Sequence, residues 1–463
     1  MLKGINYSFL NLMPQRLFLS WIAWFLILRM SAILLIGVSY KSSLRNDITR
    51  PFVGKEFWPN PQMNWQLKNG RMEVMISKGG KTHDIHLLTH QLKSEEGSFS
   101  QSVRVSFEKI NPNKIKRTGF KFGIIGAMPE EYRSNLFGSS GYMAGVTSEG
   151  KLFGPGIESK TTLPKSALED LRLTLKVEHK GDNCDYALEA RNPSMEANGK
   201  AFMSIKKTMR LKKGLLGNFA LFADYSQKNH AASIPADIQE FQTDASFQDW
   251  QISGNKVKQN LDQTFGPILW TQYTLHRGVM KMTAQVSPMG RMNREKVHLE
   301  LWKEDKWKRV QSSVIHEYAS TAHFRMENWN DQQPVPFRVF LKDGNEMGEW
   351  KGTIRKDPRN KKTIKLAALS CMKDGAFPNQ YLQQNILAQN PDILFFAGDQ
   401  LYESNGGYGI VRAYKLADVP RASLNYLQKY WIFGWSLRDA MKDRPSVVIP
   451  DDHDVYHGNI WGD

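Results

Sequence analysis

The sequence predicts a multidomain chain: a long jelly-roll-like β-sandwich, a smaller immunoglobulin/fibronectin-like β-sandwich, and part of an α/β domain at the C-terminal end. Three observations lead there. The chain has 463 residues, more than one core accommodates before chains divide at roughly 250–300 residues. From residue 51 to about 361 it is written in short alternating runs closed by Gly and polar turns. From residue 362 continuous apolar runs alternate with helical stretches. The composition, 41% hydrophobic, 11% aromatic and 23% charged, suits folded globular matter and excludes disorder, collagen and a coiled-coil rod. Two cysteines, Cys184 and Cys371, exclude a disulfide-dense scaffold and a zinc site of four thiolates.

The first 50 residues read as a targeting segment. Leu17 to Val38 is a run of 22 residues in which only Arg29 is charged, and a bilayer-spanning helix needs about 20 apolar residues. Two forms stay open. A cleaved signal peptide needs a small-residue cleavage site, for which Gly37-Val38-Ser39 is weak. An uncleaved anchor must carry Arg29 near its middle. Either form places the body outside the cytoplasm, as an exported periplasmic, extracellular or membrane-anchored protein. Membrane contact through residues 17–38 belongs to the uncleaved form.

Residues 51–265 are the long sandwich. Segments such as RMEVMISKGG, FSQSVRVSFEKI and LRLTLKVEHKG alternate apolar and polar residues, as half-buried strands do. Residues 266–361 form the smaller sandwich, with a turn signal at Asp343-Gly344-Asn345 and a charged, Pro-containing exit at Lys356–Lys362. The net charge is +16. Its body clusters, Lys114 to Lys121 and Lys206 to Lys213, read as solvated faces or as a patch for anionic polymers or phosphate substrates. No zinc finger, basic zipper or RNP-type motif appears, so specific nucleic-acid binding is not expected.

Residues 362–463 carry the chemistry. IKLAALSC, PDILFFAGDQLYE and SVVIPDDHDVY are apolar runs separated by the helical QYLQQNILAQN and LNYLQKYWIFGWSLRDAMKDR. Apolar strands of this kind predict a parallel sheet buried on both faces. Ligands bind such sheets at the carboxyl ends of the strands. The three ends here carry Ser370-Cys371, Gly398-Asp399 with Tyr402, and Asp451-Asp452-His453-Asp454. Thiolate, phenolate and carboxylate together suit a hard or borderline metal. Taken singly, each residue has an ordinary role: Cys371 as a small hydrophobe, Asp399 as a helix cap, Tyr402 as packing. Their conjunction at three strand ends predicts a site.

The motifs LAALSCMKDG, NPDILFFAGDQLYE and RPSVVIPDDHDVYHGNIWG resemble the alkaline phosphatase D (PhoD-like) branch of the calcineurin-like metallophosphatases. The resemblance implies that residues 362–463 are the N-terminal part of a metallophosphatase domain using iron (Fe3+) and calcium. Carried over, Cys371 and Tyr402 are iron ligands, Asp399 bridges the metals, Asp452 is a further ligand and Asn459 a calcium ligand. His453 is the catalytic proton donor to the leaving group. The substrate implied is a phosphate mono- or diester, attacked by metal-activated hydroxide. The family's later ligands have no counterpart before Asp463, so the expectation is a front part that cannot assemble the full two-metal site.

More loosely, FWPNPQMNWQLKNGRMEV with the strand FSQSVRVSFE resembles the concanavalin A-like jelly rolls. Such modules bind sugars or serve as structural adaptors, so that resemblance implies either a carbohydrate or envelope polymer as partner of the N-terminal sandwich or an adaptor role; Trp58 and Trp65 read as packing rather than a sugar platform. The second reading of the whole chain is accordingly a noncatalytic, exported binding protein that works through its β-modules.

Overall fold

The computed structural model describes residues 37–456 except 76–81, 108–114, 139, 195–201, 212–213, 226–242, 291–294 and 345. The expected targeting run at 17–38 lies almost wholly outside the described residues, and so does Asn459. No helix among the described residues is long and apolar enough to cross a membrane.

The long sandwich pairs a nine-stranded sheet with an eight-stranded one, antiparallel throughout. Alternation makes it. In the strand Leu171–Lys180, Leu171, Leu173, Leu175 and Val177 enter the core while Lys176, Glu178 and Lys180 stay outside. The strand Gly97–Phe107 does the same with Phe99, Val103, Val105 and Phe107. Because side chains alternate at period two, one residue of slip would expose the whole apolar set, and this pins the register. The strands Val38–Lys41 and Thr49–Arg50 also belong to the nine-stranded sheet, pairing with Thr243–Gly254 and Trp65–Lys68. Residues 38–50, expected in the targeting segment, thus supply sandwich structure.

The strand His83–Leu92 departs from the half-wet pattern, since all ten residues are buried. Ile85 and Leu87 face the sandwich core, whereas Leu88 joins a second core shared with the rest of the chain. The smaller sandwich has a three-stranded sheet, Ile268–His276, Val279–Val286 and Thr321–Met326. Against it lies a four-stranded sheet ordered Lys306–Val314, Lys296–Lys303, Val335–Asp343, Glu346–Ile354.

At the C-terminal end the strands Leu366–Leu369, Ile393–Ala397 and Ser446–Ile449 form a parallel sheet in sequence order. Helix α1, Gln380–Gln389, links the first two strands, and helix α2, Val419–Met441, links the last two. The expectation of burial on both faces fails here. Right-handed crossovers between strands in consecutive order set both helices on the same face. Leu394 and Phe396 are buried there, with Phe396 edge-on to Phe433 of α2 at 5.0 Å. On the opposite face Leu366 is 56% and Ile449 45% exposed.

Candidate functional site

Of the sequence-predicted residues, Cys371, Asp399, Tyr402, Asp452 and His453 converge at the carboxyl rim of this parallel sheet. Two sharp turns bring them there. Gly398 has φ +87°, and a Cβ on it would meet the Asp451 Cβ at 2.4 Å, so only glycine lets the two loops close. Cys371 and Asp399, the residues leaving the first two strands, lie in the left-handed region at φ 59° and 55°. Non-glycine residues held there carry strain of order 1–3 kcal/mol, and such strain clusters at functional sites.

Asp454 ties the loops together. Its carboxylate accepts the backbone N–H of Asp399 at 2.7 Å, of Asp451 at 2.9 Å and of Leu401 at 3.3 Å. Burial pushes the Asp454 carboxyl up, against these backbone hydrogen bonds, which favour the carboxylate. One ligand atom each from Asp399, Asp452 and His453 lies within 4.8 Å of the others, a grouping that can hold a metal ion. The Tyr402 hydroxyl donates to Asp399 Oδ2 at 3.0 Å, and the Cys371 thiol lies 3.7 Å from the same oxygen. Asp399 Oδ1 is buried with no hydrogen-bond partner among the described residues, in a residue only 8% exposed. An unpaired carboxylate oxygen in that position is costly unless a cation or a proton donor meets it.

His453 is oriented from behind. Its Nδ1 lies 2.8 Å from Glu403 Oε2, which leaves Nε2 as the nitrogen available to the cluster. Burial lowers the His453 pKa, but the hydrogen bond with Glu403 and the charges of Glu403, Asp452 and Asp399 prevail and raise it. Burial, then the hydrogen bonds with Cys371 and Asp399, push the Tyr402 phenol well up, in keeping with its O–H donating to Asp399. Sequence reasoning missed Glu403 and the hub role of Asp454. The only signal for either was an extra acid beside a motif already chosen.

A second feature lies on the long sandwich. An open cleft of about 950 Å³ crosses the outer face of the nine-stranded sheet, lined by Ser98, Ser100, Lys176, Glu178, Asp185 and Lys206, with Ala187 among them. The pairings Lys176↔Ser100, Lys176↔Ala187 and Ala187↔Lys206 put these side chains on one face across four neighbouring strands. Thr208 is hydrogen-bonded to Asp185 at its side. Trp58 and Trp65, in contrast, are fully buried.

No family model matches this chain, and no curated protein does. Among solved structures it is similar to a lectin from Bauhinia forficata in complex with GalNAc, at 8% identity and TM-score 0.29, covering 47% of this chain and 98% of that one. The exoplasmic/lumenal domain of VIP36 in its Ca2+-bound form gives 10% identity and TM-score 0.26, covering 47% and 97%. A legume lectin-like domain from Entamoeba histolytica gives 8% and 0.25, covering 47% and 100%. The β-sandwich assignment rests on the sheets described above.

The metallophosphatase resemblance is therefore corrected. No family model supports it over residues 362–463. Its hydrolase and phosphatase activity and its phosphoester substrate are withdrawn with it. Iron gains no support from the comparisons. What stands is a three-stranded parallel sheet whose rim gathers Asp399, Asp452 and His453, with Cys371 and Tyr402 touching Asp399 and with Cys371 exposed.

Proposed function

We propose that this chain is a noncatalytic, exported binding protein whose long β-sandwich takes a polyhydroxylated glycan chain in the cleft of the nine-stranded sheet. The cleft is the observation that carries this reading. Strands about 4.8 Å apart set hydroxyl, ammonium and carboxylate groups in rows, and donors and acceptors so spaced suit a sugar chain, which offers both at every ring. The cations Lys176, Lys206 and Lys207 stand against the anions Glu178 and Asp185, an excess of one positive charge, so the cleft itself has no strong bias toward a charged polymer. Affinity electrophoresis against neutral polysaccharides such as dextran and laminarin tests it. Retardation by one of them, abolished in Ala187→Arg, is the expected result, because the new side chain fills the cleft without removing a contact. Retardation unchanged in Ala187→Arg, or absent for every polymer, refutes the reading.

The rim supports a second binding role, for a divalent cation held by Asp399, Asp452 and His453. The unpaired Asp399 Oδ1 favours it. Two carboxylates offer the oxygen donors that calcium prefers, while the imidazole suits a borderline ion better. Glu403 behind His453 is the kind of outer partner that orients a metal-ligating imidazole. Calorimetric titration with Ca2+ and with Mn2+ should give saturable binding that Asp399→Asn removes.

A further inference from the structure

We propose that the outer face of the four-stranded sheet in the smaller sandwich binds an acidic polysaccharide. This goes beyond the cleft reading and does not depend on it, since it stands on a different surface. The β-hairpin Lys296–Val314 sets Trp302 directly opposite Trp307, edge to face with ring centroids 5.2 Å apart. The Arg338 guanidinium lies 4.9 Å over Trp307 and 5.6 Å over Phe340, and Arg309 lies 5.2 Å over Phe340 from the other strand. His298 completes the row, 5.0 Å from Phe340. Rings and guanidinium groups thus form one continuous stack across three strands, held by cation–π attraction.

Charge selects the ligand. Strand register puts Arg309, Arg338, Lys342 and Lys351 on this face with Glu300 and Glu349. Arg338 engages both acids, Glu300 at 2.7 Å through Nε and Glu349 at 3.2 Å. Lys351 reaches Glu349 at 2.6 Å. Four cations share two carboxylates, so the face keeps an excess of positive charge beside an aromatic row. Trp302, 40% exposed, is the open platform, whereas Phe340 is buried beneath the arginines. A single open indole does not suit single-stranded nucleic acid, which uses successive stacking platforms. A uronate-bearing chain fits better: the C–H face of one pyranose ring lies on Trp302, and neighbouring carboxylates meet Arg309, Lys342 and Lys351.

Affinity electrophoresis of the purified full chain in gels containing polygalacturonate tests the assignment, with dextran and poly(dT) gels run alongside. The expected result is retardation by polygalacturonate that Trp302→Ala weakens about tenfold and Trp302→Phe largely restores. Lys351→Glu, an exposed change that leaves the stack intact, weakens it as well and covers a Trp302→Ala chain that fails to fold. Ala187→Arg, which blocks the other cleft, leaves this retardation unchanged, so failure of one reading is distinguishable from failure of the other. No retardation, retardation indifferent to both Trp302→Ala and Lys351→Glu, or dextran or poly(dT) bound as tightly with the same Trp302 dependence, overturns the proposal.

Discussion

His90 shows how much a single buried titratable group can decide. It sits in the fully buried strand His83–Leu92, with Nδ1 2.9 Å from the Thr89 hydroxyl and Nε2 unpartnered among the described residues. Desolvation pushes its pKa down from 6.5 to about 4. Between those values the unfolded chain binds a proton that the folded chain refuses. The stability this group contributes is complete above pH 6.5 and is lost as the pH falls toward 4, a span worth about 3 kcal/mol at 1.36 kcal/mol per unit. Urea melts at pH 7 and pH 4.5 should therefore show a larger acid loss in the wild type than in His90→Gln, and equal losses would refute the account. At this scale the sequence was half legible. Asp399, Asp452 and His453 could be chosen because each ends an apolar run. Glu403 could not, and Asp454 was legible only as part of the acidic turn, because their roles depend on loops that curl toward each other only in three dimensions.

Gly434 illustrates the same limit for an element. It lies inside helix α2, where glycine ordinarily costs about 1 kcal/mol relative to alanine. The cost is accepted because a Cβ there would come within 2.3 Å of the Trp270 ring from the smaller sandwich. Trp270 is 1% exposed and has nowhere to retreat. Gly434→Ala should thus lower stability by about 1–3 kcal/mol through overpacking, despite its better helix propensity. A denaturant midpoint that rises instead would show that Trp270 repacks freely. The strands were legible wherever one face is wet, since alternation then marks them, as in Leu171–Lys180. His83–Leu92 obscures that signal because both its faces are covered. The open face of the parallel sheet could not be read, because apolar composition does not reveal on which side the crossover helices lie.

For the whole molecule, the three units read from the sequence share a core. Trp58 of the long sandwich stacks on Trp435 of α2 at 5.2 Å and meets Phe265 edge-on at 4.7 Å. Its indole N–H donates to Asn60 Oδ1 at 2.8 Å, and Gln428 of α2 donates to the same oxygen at 3.2 Å. Arg421, also on α2, reaches Asn64 at 2.8 Å, and Arg50 pairs with Asp343 of the smaller sandwich at 2.8 Å. One buried cluster runs from Trp58 through Phe265 and Trp270 to Phe396 and Trp431. The C-terminal helices therefore bury their apolar faces on the sandwiches, as the shared cluster demands. Independent domains would unfold in separate steps, whereas a chain built this way should lose its interface and its C-terminal unit together. Trp58→Ala removes a fully buried indole, a change that costs about 3–5 kcal/mol. Tryptophan fluorescence and far-ultraviolet dichroism should fall in one coincident transition in the wild type. In Trp58→Ala an earlier transition should appear, carrying the helical signal of α1 and α2, because their support has gone while the long sandwich retains its own core. If the helical signal keeps its wild-type midpoint in that variant, the C-terminal unit is self-supporting and the shared core is not what holds it.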